Sequence, residues 1–479
     1  VHRRASTVRT DCSPRQLEFQ GLGGRQVVAA FNGGRQTSDA GILLLREVAE
    51  GTGLIRHFAS CFTDHRRADR IEHTVEELLG QRVLGQALGY EDLNDHDTLR
   101  DDPLLALAAG KRDLTGERRV RERDCGHALA GRATLNRLER APADATAASR
   151  YHKIVYDGEA IEALFVSHFL DAQEQPPSRI VLDLDATDDP LYGSQEGAFF
   201  HGYYRHYCYL PLYIFCGSFL LCAKLRPSDI DGSAGAVEEL DRIVGQIRAR
   251  WPEVAIWIRA DSGFARDEIM TWCEANGVEY VLGLARNPRL TAEIAQPLEQ
   301  AREQADRTER SARRFKDFRY RTLKSWSRER RVVGKAEQLR GKANPRFVVT
   351  SLSSEQIRAS VLYQKVYCAR GDMENRIKEQ QLGMFADRTS TATMRANQLR
   401  LWIASLAYTL VHELRRVGLR GSSLAKAQVG TIRTRLLKLS GLVKLSVRRI
   451  RVALASAFSH QAVFEQALAN LQRNYPLLI

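Results

Sequence analysis

A chain of 479 residues, 44% hydrophobic and 27% charged, has ordinary globular composition and length enough for about two to four domains, which excludes disorder as the default. Its formal charge of +13 and pI near 9.5 point to a polyanionic partner. With neither an amphipathic basic helix at a terminus nor a lipidation motif, nucleic acid is expected rather than an anionic membrane. The eight cysteines, Cys12, Cys61, Cys125, Cys208, Cys216, Cys222, Cys273 and Cys368, contain no C-x-x-C pair and no matching His spacing for zinc. They read as buried free thiols in a reducing compartment.

The opening segment VHRRASTVRTDCSPRQ is basic but has no apolar core, so no signal peptide is expected and the chain reads as soluble and cytoplasmic. Residues 1–150 read as helical and polar, with apolar spacing in GILLLREVAE and VEELLGQRVLGQAL. The basic patch KRDLTGERRVRER, Lys111 to Arg123, fits a solvated helix face and a phosphate contact equally well. GLGG at Gly21 to Gly24 lacks the strand and helix of a nucleotide loop and reads as a turn.

From about residue 178 the pattern alternates between strands and helices. The stretch RIVLDLDATDDP starts as a buried strand and carries Asp183 and Asp185 on one face, with Asp188 and Asp189 just beyond. Residues Tyr207 to Ala223 are uncharged, but Pro211 and Gly217-Ser218 interrupt them, so a hairpin of two buried strands is expected rather than a membrane span. His201, His206 and Cys208 do not have a recognised zinc spacing, and the tyrosines around them suggest a DNA-facing or packed loop. A helix with the stripe Val237, Leu240, Val244, Ile247 and Trp251 follows, then a strand ending at Asp261. A helix stopped by Asn276-Gly277 and the strand VEYVLGLA come next. Three strands, helix, strand, helix, strand is the order of a ribonuclease H-like core.

Residues 301–350 hold sixteen Lys or Arg against six Asp or Glu, a surplus of ten. Aromatic and basic residues interleave there in short runs, as in an exposed sheet against a phosphate backbone. Beyond residue 360 the chain returns to helices, and GLVKLSVRRIRVAL alternates as a strand or basic ribbon.

Three acids stand out. Asp185 and Asp261 both lie where a strand gives out before small residues, so in neighbouring strands they would project from one edge. Such a pair repels and loses hydration unless a cation lies between, and hard carboxylate oxygens suit Mg²⁺. Glu374 lies on a helix with Arg370 and Lys378 spaced by four along one stripe, beside an apolar face of Met373 and Ile377. Taken alone, the triplet reads as a solvated salt-bridge ladder. Following a sheet, it could instead bring a third acid to the other two, flanked by cations that grip phosphates. Trp326, among Lys324, Arg328 and Arg330, is either exposed to stack on an unpaired or flipped base or packed on its own small sheet.

The set LDLDATDDP, RADSGF and YCARGDMENRIKEQ resembles the DDE transposases of bacterial insertion sequences. The likeness is greatest to the group numbered thirteen-eighty, within the superfamily carrying a Y-x2-R-x3-E-x6-K signature. Tyr367, Arg370 and Glu374 match that signature; Gln381 occupies the lysine's place, with Lys378 one turn earlier. YEDLNDHDTLRDDPL near the N-terminus also resembles that group, so the likeness covers most of the chain. It implies Asp185, Asp261 and Glu374 as catalytic acids holding two Mg²⁺ ions, with Mn²⁺ as a substitute. Asp185-Ala186-Thr187 matches the first acid, Asp183 is left a supporting role, and Asp188 stays open.

The resemblance further implies cleavage at the element's ends and strand transfer into target DNA by in-line phosphoryl displacement. Partners would be double-stranded DNA of the terminal repeats and target, and a second copy of the chain. The expected fold is α/β, a ribonuclease H-like core with a β-rich insertion before the catalytic Glu and helical terminal regions. Expected domains are 1–150, a helical DNA-end-binding region; 151–290, the first part of the core; 291–362, the basic insertion; 363–390, the catalytic helix; and 391–479, a helical region for DNA contact or dimerisation. A nuclease that cuts without joining would use the same acids, and a silent DNA-binding repressor is the third reading.

Overall fold

The computed structural model describes residues 15–475; Cys12 and the rest of the opening segment through residue 14 lie outside them. Helix α1 (Ile42–Thr52) and helix α2 (Val75–Leu88) carry the apolar spacing of the N-terminal region. Thr74 and Glu77 close a reciprocal capping box at the start of α2, satisfying donors that the helix cannot pair itself. A two-stranded hairpin, Leu17–Leu22 with Arg25–Ala29, precedes them and turns at Gly23-Gly24, where GLGG was expected to turn.

Helix α3 (Gly158–Asp171) leads into strand β1 (Arg179–Ala186). A short hairpin, β2 (Phe199–His201) and β3 (His206–Tyr209), is followed by a second, β4 (Leu212–Cys216) and β5 (Phe219–Lys224). The second hairpin is the buried pair expected from the uncharged run, and it turns at Gly217 with φ +60, a left-handed conformation that glycine adopts without strain. Helix α4 (Ala236–Arg250) buries Leu240, Val244 and Ile247 of its expected stripe, with Trp251 buried just past its end; Ile243 is buried beside them and Val237 only partly. Strand β6 (Ala255–Ala260), helix α5 (Asp267–Ala275), strand β7 (Glu279–Leu284) and helix α6 (Ala295–Thr308) complete this part.

The basic region folds as β8 (Ala312–Tyr320), β9 (Arg330–Leu339) and β10 (Arg346–Thr350). Its strands extend the central sheet, whose order is β5-β4-β1-β6-β7-β10-β9-β8, with a two-residue strand beside β9 as its ninth member. Strands β1, β6 and β7 run parallel and the other pairings are antiparallel. Antiparallel pairing of β7 with β10 joins the expected insertion edge to edge with the sheet of the acids.

Helix α7 (Gly371–Lys378) is the central part of a helical run, and helix α8 (Met394–Glu413) is buried on nearly every side. A helix apolar all round belongs in a core. Around α8 the helices α1 and α2 and the C-terminal α9 (Gln461–Asn474) form one hydrophobic cluster, so the two terminal regions share a core. The alternating segment near 445 is an antiparallel ribbon, Gly441–Leu445 with Ile450–Leu454. No helix among the described residues is long and apolar enough to cross a membrane. Of the free cysteines, Cys125 and Cys368 are exposed, contrary to the expectation of burial throughout.

Candidate active site

Parallel pairing of β1 with β6 sets Leu184 opposite Ala260, so the next residues stand side by side: Asp185, the last but one residue of β1 and still paired with Tyr213 of β4, and Asp261, just past the end of β6. Asp185 accepts from its own following amide, Ala186 N–H, at 3.0 Å. Asp261 starts a single tight turn over Ser262–Phe264, and its Oδ1 accepts the Gly263 N–H at 2.8 Å. Both acids are thereby aimed by local backbone bonds, which the small residues after them permit.

Asp183 has a different fate on the same face of β1. It is buried and held by Arg259 of β6 through Nε to Oδ1 and through Nη2 to Oδ2 at 2.7 Å. The same guanidinium donates to the Val366 carbonyl at 2.6 Å, tying the sheet to the helical run that carries the third acid. The sequence reading missed Arg259; its only signal was a charged residue on a buried strand, in IWIRAD.

That run begins with a wide π turn (Leu362–Tyr367) and a tight turn (Cys368–Arg370), passes through α7, and ends in a second π turn (Glu379–Gly383). Met373 and Ile377 anchor its buried face. On another face Arg370 donates to Glu374 Oε1 at 2.7 Å and to Asp185 Oδ2 at 3.2 Å. The expected helical ladder thus reaches the sheet through Arg370. Burial pushes the Asp185 carboxyl up to about 6; Arg370 opposes the rise, while Asp261 and Glu374 add to it. Among the described residues, no three His, Cys, Asp or Glu side chains stand close enough to hold a metal ion in this arrangement. The donor set is nonetheless hard oxygen with more negative charge than one guanidinium neutralises, which fits a divalent cation in kind. An entering cation would have to draw Arg370 away from a carboxylate.

Tyr367 packs over the end of β7. A methyl group built on Gly283 would stand 2.5 Å from the Tyr367 hydroxyl and 2.9 Å from the Ser262 nitrogen, so only glycine lets the helix approach this closely. Lys378 is exposed one turn past Glu374. Gln381 donates to the Asp188 carbonyl at 3.0 Å, fastening the helix to the loop after β1. Asp188 itself faces His206, Oδ2 to Nε2, at 2.8 Å.

The family Transposase DDE domain group 1 matches residues 19–476, almost the whole chain. The chain belongs to the DDE transposase family. Among solved structures, the cryo-EM piggyBac transposase synaptic complex with hairpin DNA is 12% identical to it, with a TM-score of 0.40 over 93% of this chain and 87% of that one. No curated protein matches the chain.

In this DDE transposase the basic loop between β8 and β9 corrects an expectation. Trp326 is 3% exposed, packed edge-on against Tyr320 at 5.8 Å with the Arg330 guanidinium 5.7 Å from its ring. A base has no face of it to stack on. Arg330 is equally buried, paired with Asp267 at 2.6 Å and Glu274 at 2.9 Å on α5, and Arg328 pairs with Glu274 as well. Two acids on α5 therefore take up charge that the sequence assigned to DNA. Lys324 remains exposed, as do Arg313, Arg314 and Arg319 on the outer strand β8.

The transposase has a second basic feature. A cleft of about 920 Å³ in the N-terminal region is lined by Arg66, Arg70, Arg119, Arg121, Arg123, Arg132, Arg137 and Lys153. Within the basic patch of residues 111–123, Lys111 and Arg119 are held by Glu77 and Glu72, while Arg121 and Arg123 are exposed.

Proposed function

We propose that this DDE transposase cuts DNA at the ends of an insertion sequence of the group numbered thirteen-eighty and joins those ends to target DNA. In this reading Asp185, Asp261 and Glu374 hold two divalent ions, Mg²⁺ or Mn²⁺. The observation that carries it is the Arg370 guanidinium bonded both to Asp185 and to the helix acid Glu374, with Asp261 following the strand next to that of Asp185. The strand order β5-β4-β1-β6-β7, antiparallel for three strands and then parallel, supports a ribonuclease H-like core beneath it.

When bound, the ions would supply Lewis-acid charge at the entering and leaving oxygens and lower the pKa of a water. The protein's own groups orient the DNA. Arg370, drawn off a carboxylate, has a planar fork suited to phosphate, and exposed Lys378 offers a point charge one turn further. Tyr367, packed against Gly283, fixes the height of the helix over the strand ends. The outer strand β8 and the N-terminal cleft present cations in excess of their local acids, which is what a phosphate backbone requires. We assign residues 1–150 to end binding, 151–290 with 363–390 to the catalytic core, 291–362 to a basic extension, and 391–479 to DNA contact or dimerisation.

The test incubates the full chain and a labelled fragment carrying its element's end with Mg²⁺ or Mn²⁺, comparing wild type with Asp261→Asn and Glu374→Gln. Metal-dependent nicking that disappears in both variants while end binding persists is expected. Joined products distinguish a transposase from a nuclease that only cuts. Cleavage equal in all three proteins would overturn the acid assignment, and binding without cleavage under either ion would favour a silent repressor.

A further inference from the structure

The hairpin β2–β3 stands directly after the loop that leaves Asp185, and its surface is unusual. Tyr203 is 85% exposed, Phe200 57% and Tyr207 56%, with Phe199 half-exposed beside them and Tyr192 exposed upstream at 94%. Single exposed aromatics need no explanation, but five within sixteen residues form a surface that water solvates poorly. Two of them are organised by the register: Phe200 lies opposite Tyr207, and their rings meet edge to face at 5.7 Å. Such a pair presents a standing π face rather than a collapsed cluster.

The hairpin is also free of negative charge. From Phe199 to Lys224 there is no Asp or Glu, whereas Arg205 sits at the tip with φ +62 and His201 and His206 pair across the strands. His206, on the face of the hairpin opposite Phe200 and Tyr207, reaches Asp188, three residues past Asp185, so the hairpin as a whole is fastened beside the candidate active site. A carboxylate-free, π-rich ledge beside acids that act on a phosphodiester matches one strand of nucleic acid whose bases are unpaired. Stacking holds such bases whatever their sequence, and the nearby cations meet the backbone.

We propose that the Phe199–Tyr209 hairpin is a stacking ledge that holds unpaired bases of the DNA strand next to the cleaved phosphate. It rests on the transposase reading of the acids, and it takes over the role that buried Trp326 cannot perform. Phe200 and Tyr207 supply the platform, and Tyr203 stands exposed at the tip.

The test uses the full chain in EDTA, so that no cleavage intervenes, with two probes of one sequence. One is a blunt duplex; the other carries a single-stranded extension of about eight nucleotides containing fluorescent aminopurine. Wild type is expected to bind the extended probe more tightly and to quench the aminopurine. The double variant Phe200→Leu/Tyr207→Leu, which keeps apolar bulk without a π face, is expected to lose about tenfold in affinity for the extended probe and to lose the quench. Blunt duplex binding stays the same, as it does for Tyr203→Leu, which loses less on the extended probe. A wild type with no preference for the extension, or a double variant that retains preference and quench, overturns the ledge. So does a variant that binds both probes like wild type but shifts the monomer–dimer balance in sedimentation, which would make the face a contact between copies. Cleavage by wild type with Mn²⁺ is scored separately: its absence with the binding contrast intact removes the catalytic reading and leaves the ledge.

Discussion

The Arg370 guanidinium donates to the Asp185 carboxylate at 3.2 Å, so a helix cation stands at the edge where strand acids would otherwise face one another unscreened. Arg370 and a divalent ion would compete for the same oxygens. Arg370→Gln removes that competitor and leaves Asp185, Asp261 and Glu374 with no guanidinium among them. The variant is expected to be less stable than wild type without metal and to gain more from Mn²⁺ in thermal unfolding, while DNA cleavage falls. An equal metal-induced rise in melting temperature for the two proteins would show that Arg370 does not occupy the ion's place.

Gly283 tests the closeness of helix and sheet. Gly283→Ala puts a methyl group against the Tyr367 hydroxyl and the turn that aims Asp261. Cleavage is expected to drop by about tenfold or more, because small displacements of reacting groups are costly. The unfolding midpoint in urea should change far less than for a core truncation.

Arg259 and Asp183 are a buried pair, and removing one partner strands the other. Arg259→Met is expected to cost about 3–5 kcal/mol in urea unfolding, because it leaves a carboxylate without its cation. Adding Asp183→Asn should recover part of that loss, which an exposed pair would not do.

Trp326→Ala is expected to destabilise the fold by about 3–5 kcal/mol through the cavity it leaves among Tyr320, Arg330 and the sheet. Affinity for DNA, measured on the fraction that remains folded, should not change.

Asp189 gives a pH signature outside the acids of the site. Burial pushes its carboxyl up to about 8; Thr389, which donates to it at 3.0 Å, works against this, while Asp387 and Asp188 add to it. The folded chain therefore holds a proton that the unfolded chain, with an ordinary carboxyl near 3.8, has released. Stability contributed by this group is fully present below that lower value and is lost as pH rises through about 8. Asp189→Asn should flatten the slope, unfolding later than wild type at alkaline pH and not at acidic pH in matched melts.

The place of Asp185 and Asp261 near adjacent strand ends was legible because an apolar run that gives way to small and acidic residues marks where a strand stops, and its period of two gives the face. The helical spacing of Arg370 and Glu374 was legible for the same local reason. Trp326 was not: its burial depends on Asp267 and Glu274, some sixty residues earlier, drawing Arg330 inward over the ring. The basic strands were recognisable by alternation, but alternation does not say which sheet a strand joins. Only the distant pairing of β7 with β10 makes them an extension of the core. Arg259 escaped notice because its partner Asp183 lies on another strand.

That shared sheet makes it a ruler. From β6, which Asp261 directly follows, to the cation-bearing edge β8 there are four strand-to-strand steps, through β7, β10 and β9. At about 4.8 Å each this is roughly 19 Å, hydrogen-bonded throughout. Along a duplex with one phosphate per strand about every 3.4 Å, that length corresponds to between five and six base pairs, roughly half a helical turn. A phosphate gripped at the outer edge and a phosphate at the acids would thus lie a set number of steps apart on the DNA. The cut would then be counted off by protein geometry, and base readout could be left to other surfaces.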